Sequence, residues 1–258
     1  MAVFIAPERE QLLKLNHLAR FDEVWRRQAE WFEEPNARRG GWSGVCRLGL
    51  DLPEGGQLGV FLKRQQNHQR RTFEHPFTGE PTFSCEFNMM RYLRQHGVPV
   101  LTPVFFGSET VDGNPRAILM TEELVNFQPL ETLTEAMFAD KRPSLAEQRL
   151  IIRGVAATVR QLHAARIQHR SLYPKHLFVR LREQNDPEVV IIDLEKSRMK
   201  FFSAMRTIYD LATLNRHAKY WSKTNRLYFF KQYLGIKKLT PWTKLICRCI
   251  YKRSTRHR

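Results

Sequence analysis

The sequence predicts an α+β protein of two lobes, a small β-rich one followed by a helical one. Three observations predict it. Residues 40–122 alternate short apolar runs with turn signals around one helical stretch. After residue 124 helical periodicity takes over. A β-hairpin with a polar tip then interrupts the helices near residues 177–192, so strands and helices stay segregated rather than alternating. With 258 residues, 42% hydrophobic and 11% aromatic, the chain can bury a full core and is too apolar to remain disordered. The expected organisation is a helical extension over 1–36, an N-terminal lobe over 37–123 and a C-terminal lobe over 124–258.

Residues 8–34, rich in Leu, Arg, Glu and Trp, read as one or two amphipathic helices ended by Glu33-Glu-Pro-Asn36. The stretch 38–50 reads as two short extended runs around glycines, 51–56 as a turn and 57–63 as a strand. Residues 84–96 form a helix stopped by Gly97 and Pro99. Strands at 104–106 and 116–121 are joined by the turn Asp112-Gly-Asn-Pro115. Ser144-Leu-Ala-Glu147 is a capping box, and it opens a helix with apolar Leu145, Ile152, Val155, Ala156, Val159 and Leu162. Strands at 177–180 and 189–192 follow, and 202–255 is mostly helical.

The net charge of +16 is one-sided. Residues 196–258 carry 17 Lys and Arg against one acid, Asp210, and so hold the whole excess. Such a block attracts polyanions: phosphorylated glycolipid, an anionic membrane or nucleic acid. Lys237-Lys238, Arg248, Lys252-Arg253, Arg256 and Arg258 interleave with Trp242, Ile246, Ile250 and Tyr251, an amphipathic basic segment suited to an interface. Neither helix-turn-helix spacing nor a zinc finger or RNA-binding aromatic motif is found, which disfavours nucleic acid. No apolar run approaches a membrane span, and the N-terminus is too short in apolar residues for a secretory signal, so a cytosolic protein is expected. The four cysteines, Cys46, Cys85, Cys247 and Cys249, lack zinc spacing and read as reduced thiols.

Five features carry chemistry. Gly40-Gly-Trp-Ser-Gly44 lies between two extended runs, where Gly40, Gly41 and Gly44 would let backbone N–H groups approach phosphate oxygens. Lys63 ends an apolar strand and would contact phosphates, held by Glu86 on the following helix. Residues 119–124 end a strand in acids and would form a hinge whose backbone, at Glu122 and Leu124, faces a nucleobase. The loop His169-Arg-Ser-Leu-Tyr-Pro-Lys-His176 precedes a strand that ends in Asp193. That carboxylate is of the kind Mg²⁺ takes together with phosphate oxygens, and His176 is the second residue expected to hold the ion. Asp210 would accept from the backbone of the 169–171 loop. A zinc site at His163, His169 and His176 is disfavoured by spacings of six and seven.

Together these features resemble the protein-kinase-like phosphotransferases, and within them the lipopolysaccharide kinase family of InaA and WaaP type, over residues 42–234. Residues 34–45 and the loop 169–176 look specifically like the InaA branch. The resemblance implies a protein-kinase-like fold, ATP and Mg²⁺ as cofactors, and a sugar hydroxyl of lipopolysaccharide at the cytosolic face of the inner membrane as acceptor. It makes Lys63 the strand lysine, Glu86 its helix partner, residues 121–124 the hinge and Asp193 the metal-binding acid. One departure matters: in the catalytic loop, His-Arg-Asp-x4-Asn in protein kinases, Ser171 stands at the Asp position and His176 at the Asn position. A serine hydroxyl is no general base near pH 7, so His169 or His176 would have to substitute. The alternatives are a catalytically impaired, nucleotide-binding pseudokinase and a nucleic-acid-binding protein acting through the basic quarter.

Overall fold

The alternation read in residues 40–122 becomes the four inner strands of a six-stranded antiparallel sheet. A computed structural model describes residues 2–38, 40–71, 77, 79–139, 142–182 and 185–256. In chain order the elements are β1 (Ala2–Ile5), α1 (Glu10–Leu15), α2 (Phe21–Arg26), β2 (Trp31–Arg38), β3 (Gly41–Asp51), β4 (Gln57–Gln66), β5 (Gln69–Arg70), β6 (Glu80–Pro81) and α3 (Thr82–Gln95). Then come β7 (Pro103–Val111), β8 (Asn114–Glu122), β9 (Gln128–Pro129), α4 (Leu130–Ala139), α5 (Leu145–Ala164), β10 (Ile167–Gln168), β11 (Leu177–Arg182), β12 (Asn185–Ile191), β13 (Arg198–Met199), α6 (Ser203–His217), α7 (Lys223–Leu234) and α8 (Pro241–Thr255). By contacts the chain divides into a β-rich unit, 1–91 with 101–125, and a helical unit, 92–100 with 126–258.

In the β-rich unit the strand order is β1-β7-β8-β4-β3-β2. Period-two alternation sends Cys46, Leu48 and Leu50 of β3 and Val60 and Leu62 of β4 to one face. There Leu12 and Leu13 of α1 and Phe21 and Val24 of α2 cover them. The β7–β8 hairpin turns through Asp112 and Gly113, both at positive φ, as the Asp-Gly dipeptide demands. The helical reading of 8–34 holds for α1 and α2 but not beyond. Residues 1–36 do not form a helical extension, because Ala2–Ile5 and Trp31–Arg38 are the two edge strands of the sheet. Pro35, read as a helix stop, sits in an edge strand, where its missing N–H is tolerated and the register shifts between Glu33 and Asn36.

In the helical unit the capping box forms as read: Ser144 Oγ accepts from Glu147 N, and Glu147 Oε2 accepts from Ser144 N. It opens α5, whose Ile152, Val155, Ala156, Val159 and Leu162 are buried while Leu145 is exposed. The β11–β12 hairpin is widened by β9 into a three-stranded sheet. The last quarter forms α6, α7 and α8, with α7 packed on α5 and α8 on α6. On α8, Ile246 and Ile250 are buried, so of the apolar residues read into the amphipathic interface segment these two belong to the protein interior, while Trp242 and Tyr251 are exposed. Among the described residues no helix is long and apolar enough to cross a membrane.

Candidate active site

In the β-rich unit, Lys63 lies on β4 opposite Leu119 of β8 and Val45 of β3. Its Nζ donates to Glu86 Oε1 of α3 at 2.8 Å. Glu86 is 2% exposed, so the ammonium also neutralises a carboxylate that would otherwise be desolvated alone. The expected lysine–glutamate pair is therefore formed.

The glycines sit at the β2–β3 hairpin and on into β3. Gly40 has φ +78° and open space around its Cα. A Cβ on Gly41 would fall 2.3 Å from the backbone oxygen of Asn67, and one on Gly44 would meet the Trp31 ring at 2.6 Å. Tight chain and ring packing thus accounts for two of the three glycines. At the end of β8, Glu122 N donates to Thr102 O and Glu123 N to Gly59 O, while the side chain of Glu122 accepts from Arg9 at 2.8 Å. The side chain of Glu122 is thus taken up by Arg9; Leu124, two residues on, is half-buried.

In the helical unit a second group converges. Asp210 of α6, fully buried, accepts from His169 N at 2.7 Å and Arg170 N at 2.9 Å, the role expected of it. Its Oδ2 also lies 3.1 Å from His163 Nε2 of α5. His163 Nδ1 in turn meets the hydroxyl of Tyr233 on α7, which meets Thr207 Oγ1 of α6. The sequence reading missed these partners, although Asp210 as the lone acid of the basic quarter was the signal for the cluster.

His169 is completely buried. Its Nε2 donates to Ile192 O at 2.9 Å and its Nδ1 accepts from Ser171 N at 3.3 Å. Burial pushes its pKa down, which keeps the imidazole neutral. With both ring nitrogens engaged, His169 is no general base. The catalytic part expected of it is corrected to that of a positioning residue.

His176 lies between the loop and Asp193. Its Nδ1 is 2.8 Å from Ser171 O and 3.2 Å from Asp193 Oδ2. Two oxygen acceptors fix the tautomer with the proton on Nδ1. Burial lowers its pKa to about 4, so the ring is neutral at pH 7. Asp193 follows β12 in a left-handed backbone conformation, φ 60° and ψ 57°, which Asp tolerates better than most residues. The turn is pinned where Ile192 N donates to His176 O and Ser197 N to Leu194 O, both at 3.0 Å. Ser171, expected at the base position, is buried, and its carbonyl is what orients His176.

Hard Mg²⁺ takes oxygen ligands, which the Asp193 carboxylate offers, while the Nδ1 of His176 is turned to Ser171 O and to that carboxylate. Among the described residues no group of three or more His, Cys, Asp or Glu is placed to hold a metal ion. A cavity of about 760 Å³ lies elsewhere in the helical unit, lined by Leu130, Ile151, Leu211, Phe230 and Ile250 among others; none of the expected site residues lines it.

A strand lysine paired with a helix glutamate, a loop hung from a buried helix aspartate, and an aspartate after a strand beside that loop together define a protein with a kinase-like fold. A solved structure titled WaaP in complex with acyl carrier protein has the same fold, with a TM-score of 0.72 over 100% of both chains at 21% identity. The chain belongs to the Lipopolysaccharide kinase (Kdo/WaaP) family, whose sequence profile matches residues 22–233. Protein InaA of Escherichia coli K12 is 29% identical over 202 residues, 77% of this chain and 89% of that protein. The lipopolysaccharide core heptose(I) kinase WaaP of Escherichia coli is 30% identical over 119 residues, 45% of this chain and 44% of that protein. The corresponding Pseudomonas aeruginosa kinase is 25% identical over a match of the same length.

Proposed function

We propose that the protein transfers the terminal phosphoryl group of ATP to a sugar hydroxyl of lipopolysaccharide core or a related glycolipid. Family membership and similarity to kinases named for core heptose support this reading. The observation that carries it is the Asp193 carboxylate, held at 3.2 Å by a neutral His176 whose loop hangs from buried Asp210. In this reading Lys63 and the backbone around Gly40, Gly41 and Gly44 bind nucleotide phosphates, and the ends of β8 near Glu122 and Leu124 face the base. Asp193 holds the divalent ion, which when bound neutralises phosphate charge. The bond from the terminal phosphorus to its bridging oxygen breaks, the acceptor oxygen bonds to that phosphorus, and ADP leaves. The acceptor proton passes to solvent, since Ser171 cannot take it. Phosphoryl transfer depends chiefly on positioning and charge neutralisation, so a missing base costs about 10²- to 10⁴-fold in rate rather than all of it. A phosphorylated glycolipid on an anionic, cytosolic membrane face also suits the basic last quarter.

The test is incubation with labelled ATP, Mg²⁺ and purified core lipopolysaccharide. Label should pass to the glycolipid with the natural chain and not with Asp193→Ala. Equal transfer by both would defeat the assignment. Ser171 favours a second reading, a nucleotide-binding pseudokinase. Under it Mg-ATP raises the melting temperature with no transfer, and Ser171→Asp gains activity; without any thermal shift both readings fall.

A further inference from the structure

We infer that the segment after Asp193, from β13 into the first turns of α6, is a docking face for an anionic lipid bilayer. Met199, Phe201, Phe202, Met205 and Tyr209 are all exposed, the two phenyl rings by 69% and 70%. Phe202, Met205 and Tyr209 recur at helical spacing, so they form one exposed stripe along the start of α6, with Arg253 of α8 over its far end at Tyr209. An apolar stripe of this kind in water marks an interaction surface when it is held in place rather than free to fold back.

It is held in place. Ile167 and Gln168 of β10 pair with Met199 and Arg198 of β13. Lys200 N donates to Arg166 O at 2.8 Å. The guanidinium of buried Arg206 donates to Phe201 O at 2.9 Å and also to Lys200 O. The backbone carrying both phenyl rings is thus fastened from β10 and from α6, and the rings stand outward.

The charge around them selects the occupant. Exposed Lys196 and Arg198 precede the rings. Arg166 sits 6.0 Å over the Phe201 ring and Arg253 of α8 3.6 Å over the Tyr209 ring. Of the nearby acids, Glu195 pairs with Lys196, Asp193 faces His176 Nδ1 at 3.2 Å, and Asp210 is buried under the 169–170 backbone. A polyanion alone would need the bases but not the adjacent exposed phenyl and methionine side chains. A surface with phosphates above hydrocarbon uses both. The inference deepens the glycolipid reading, on which its purpose rests, but it is tested without nucleotide or acceptor.

The experiment is sedimentation of the full chain with vesicles of phosphatidylethanolamine and phosphatidylglycerol, against vesicles of phosphatidylcholine. The natural chain should bind the anionic vesicles and lose that binding in high salt. F201S/F202S should weaken it about tenfold or more, since two large apolar side chains no longer enter the interface. W242S/L245S, on the outer face of α8, should bind as the natural chain does. Unchanged melting temperatures would show that these exposed substitutions leave the fold intact. The inference is overturned if F201S/F202S binds as tightly as the natural chain, if only W242S/L245S loses binding, or if the segment binds a single-stranded oligonucleotide and no vesicle. Vesicle binding without phosphoryl transfer would leave this face standing and sink the kinase reading; transfer to detergent-dispersed acceptor without vesicle binding would do the reverse.

Discussion

Replacing Asp210 by alanine removes three acceptor contacts in one step: to His169 N at 2.7 Å, to Arg170 N at 2.9 Å and to His163 Nε2 at 3.1 Å. The carboxylate is fully buried, so bulk solvent does not reach the donors it serves. A buried donor stripped of its acceptor costs about 1–3 kcal/mol, and breaking a buried charged cluster at one member costs about 3–5 kcal/mol in all. For a chain of this size each kcal/mol lowers the melting temperature by about 2–4 °C, which puts the expected fall at about 6–20 °C. Asp210→Asn keeps one carbonyl oxygen but turns an N–H₂ toward a donor, so it should fall by roughly half as much. Thermal and urea unfolding followed by circular dichroism read both values. A fall below about 2 °C in Asp210→Ala would refute the claim that this side chain holds the loop.

Three further outcomes follow from the geometry. Lys63→Met strands the buried Glu86 carboxylate and should cost about 3–5 kcal/mol, and adding Glu86→Gln should recover most of it; a double mutant no more stable than Lys63→Met would contradict the pairing. Gly41→Ala drives a Cβ into the Asn67 carbonyl and should cost about 2 kcal/mol or more by urea unfolding, against about 1 kcal/mol for Gly40→Ala, which meets only an unfavourable φ; the reverse order would show that the hairpin is placed wrongly. Burial holds the pKa values of His169 and His176 below the ordinary 6.5, with His176 at about 4. Because the folded values lie below the unfolded ones, their contribution to stability is complete above about pH 6.5 and is lost as pH falls toward 4. A histidine ring signal for His176 titrating near 6.5 in NMR would contradict the buried tautomer.

Much of this was legible in the chain, for identifiable reasons. The capping box at Ser144, the Asp-Gly turn at 112–113 and the period-two pattern of 57–63 are local signals that packing did not override. Asp210 stood out because it is the only acid of a basic quarter, and it holds the loop it was expected to hold. What escaped was set by distant partners. Trp31–Arg38 reads as a helix end because Pro35 interrupts it, yet an edge strand needs no ladder hydrogen bond on its outer side. Ala2–Ile5 is too short to announce itself and becomes a strand only by pairing with β7. The part of His169 was misread because a histidine beside a catalytic loop looks chemical until both its nitrogens are seen to be engaged. Likewise Ile246 and Ile250 looked available on a basic helix until α6 was found beneath them.

The suspension of the 169–170 backbone from a carboxylate one helix away has an evolutionary corollary. The path of that loop at 169 and 170 is held by main-chain amides and by a residue forty positions downstream, not by the side chain at 171. A substitution at 171 that fits its buried surroundings can therefore leave the hung backbone in place. Chemistry at this one position is free to drift, be regained by a single substitution or be retuned, without the architecture being rebuilt around it.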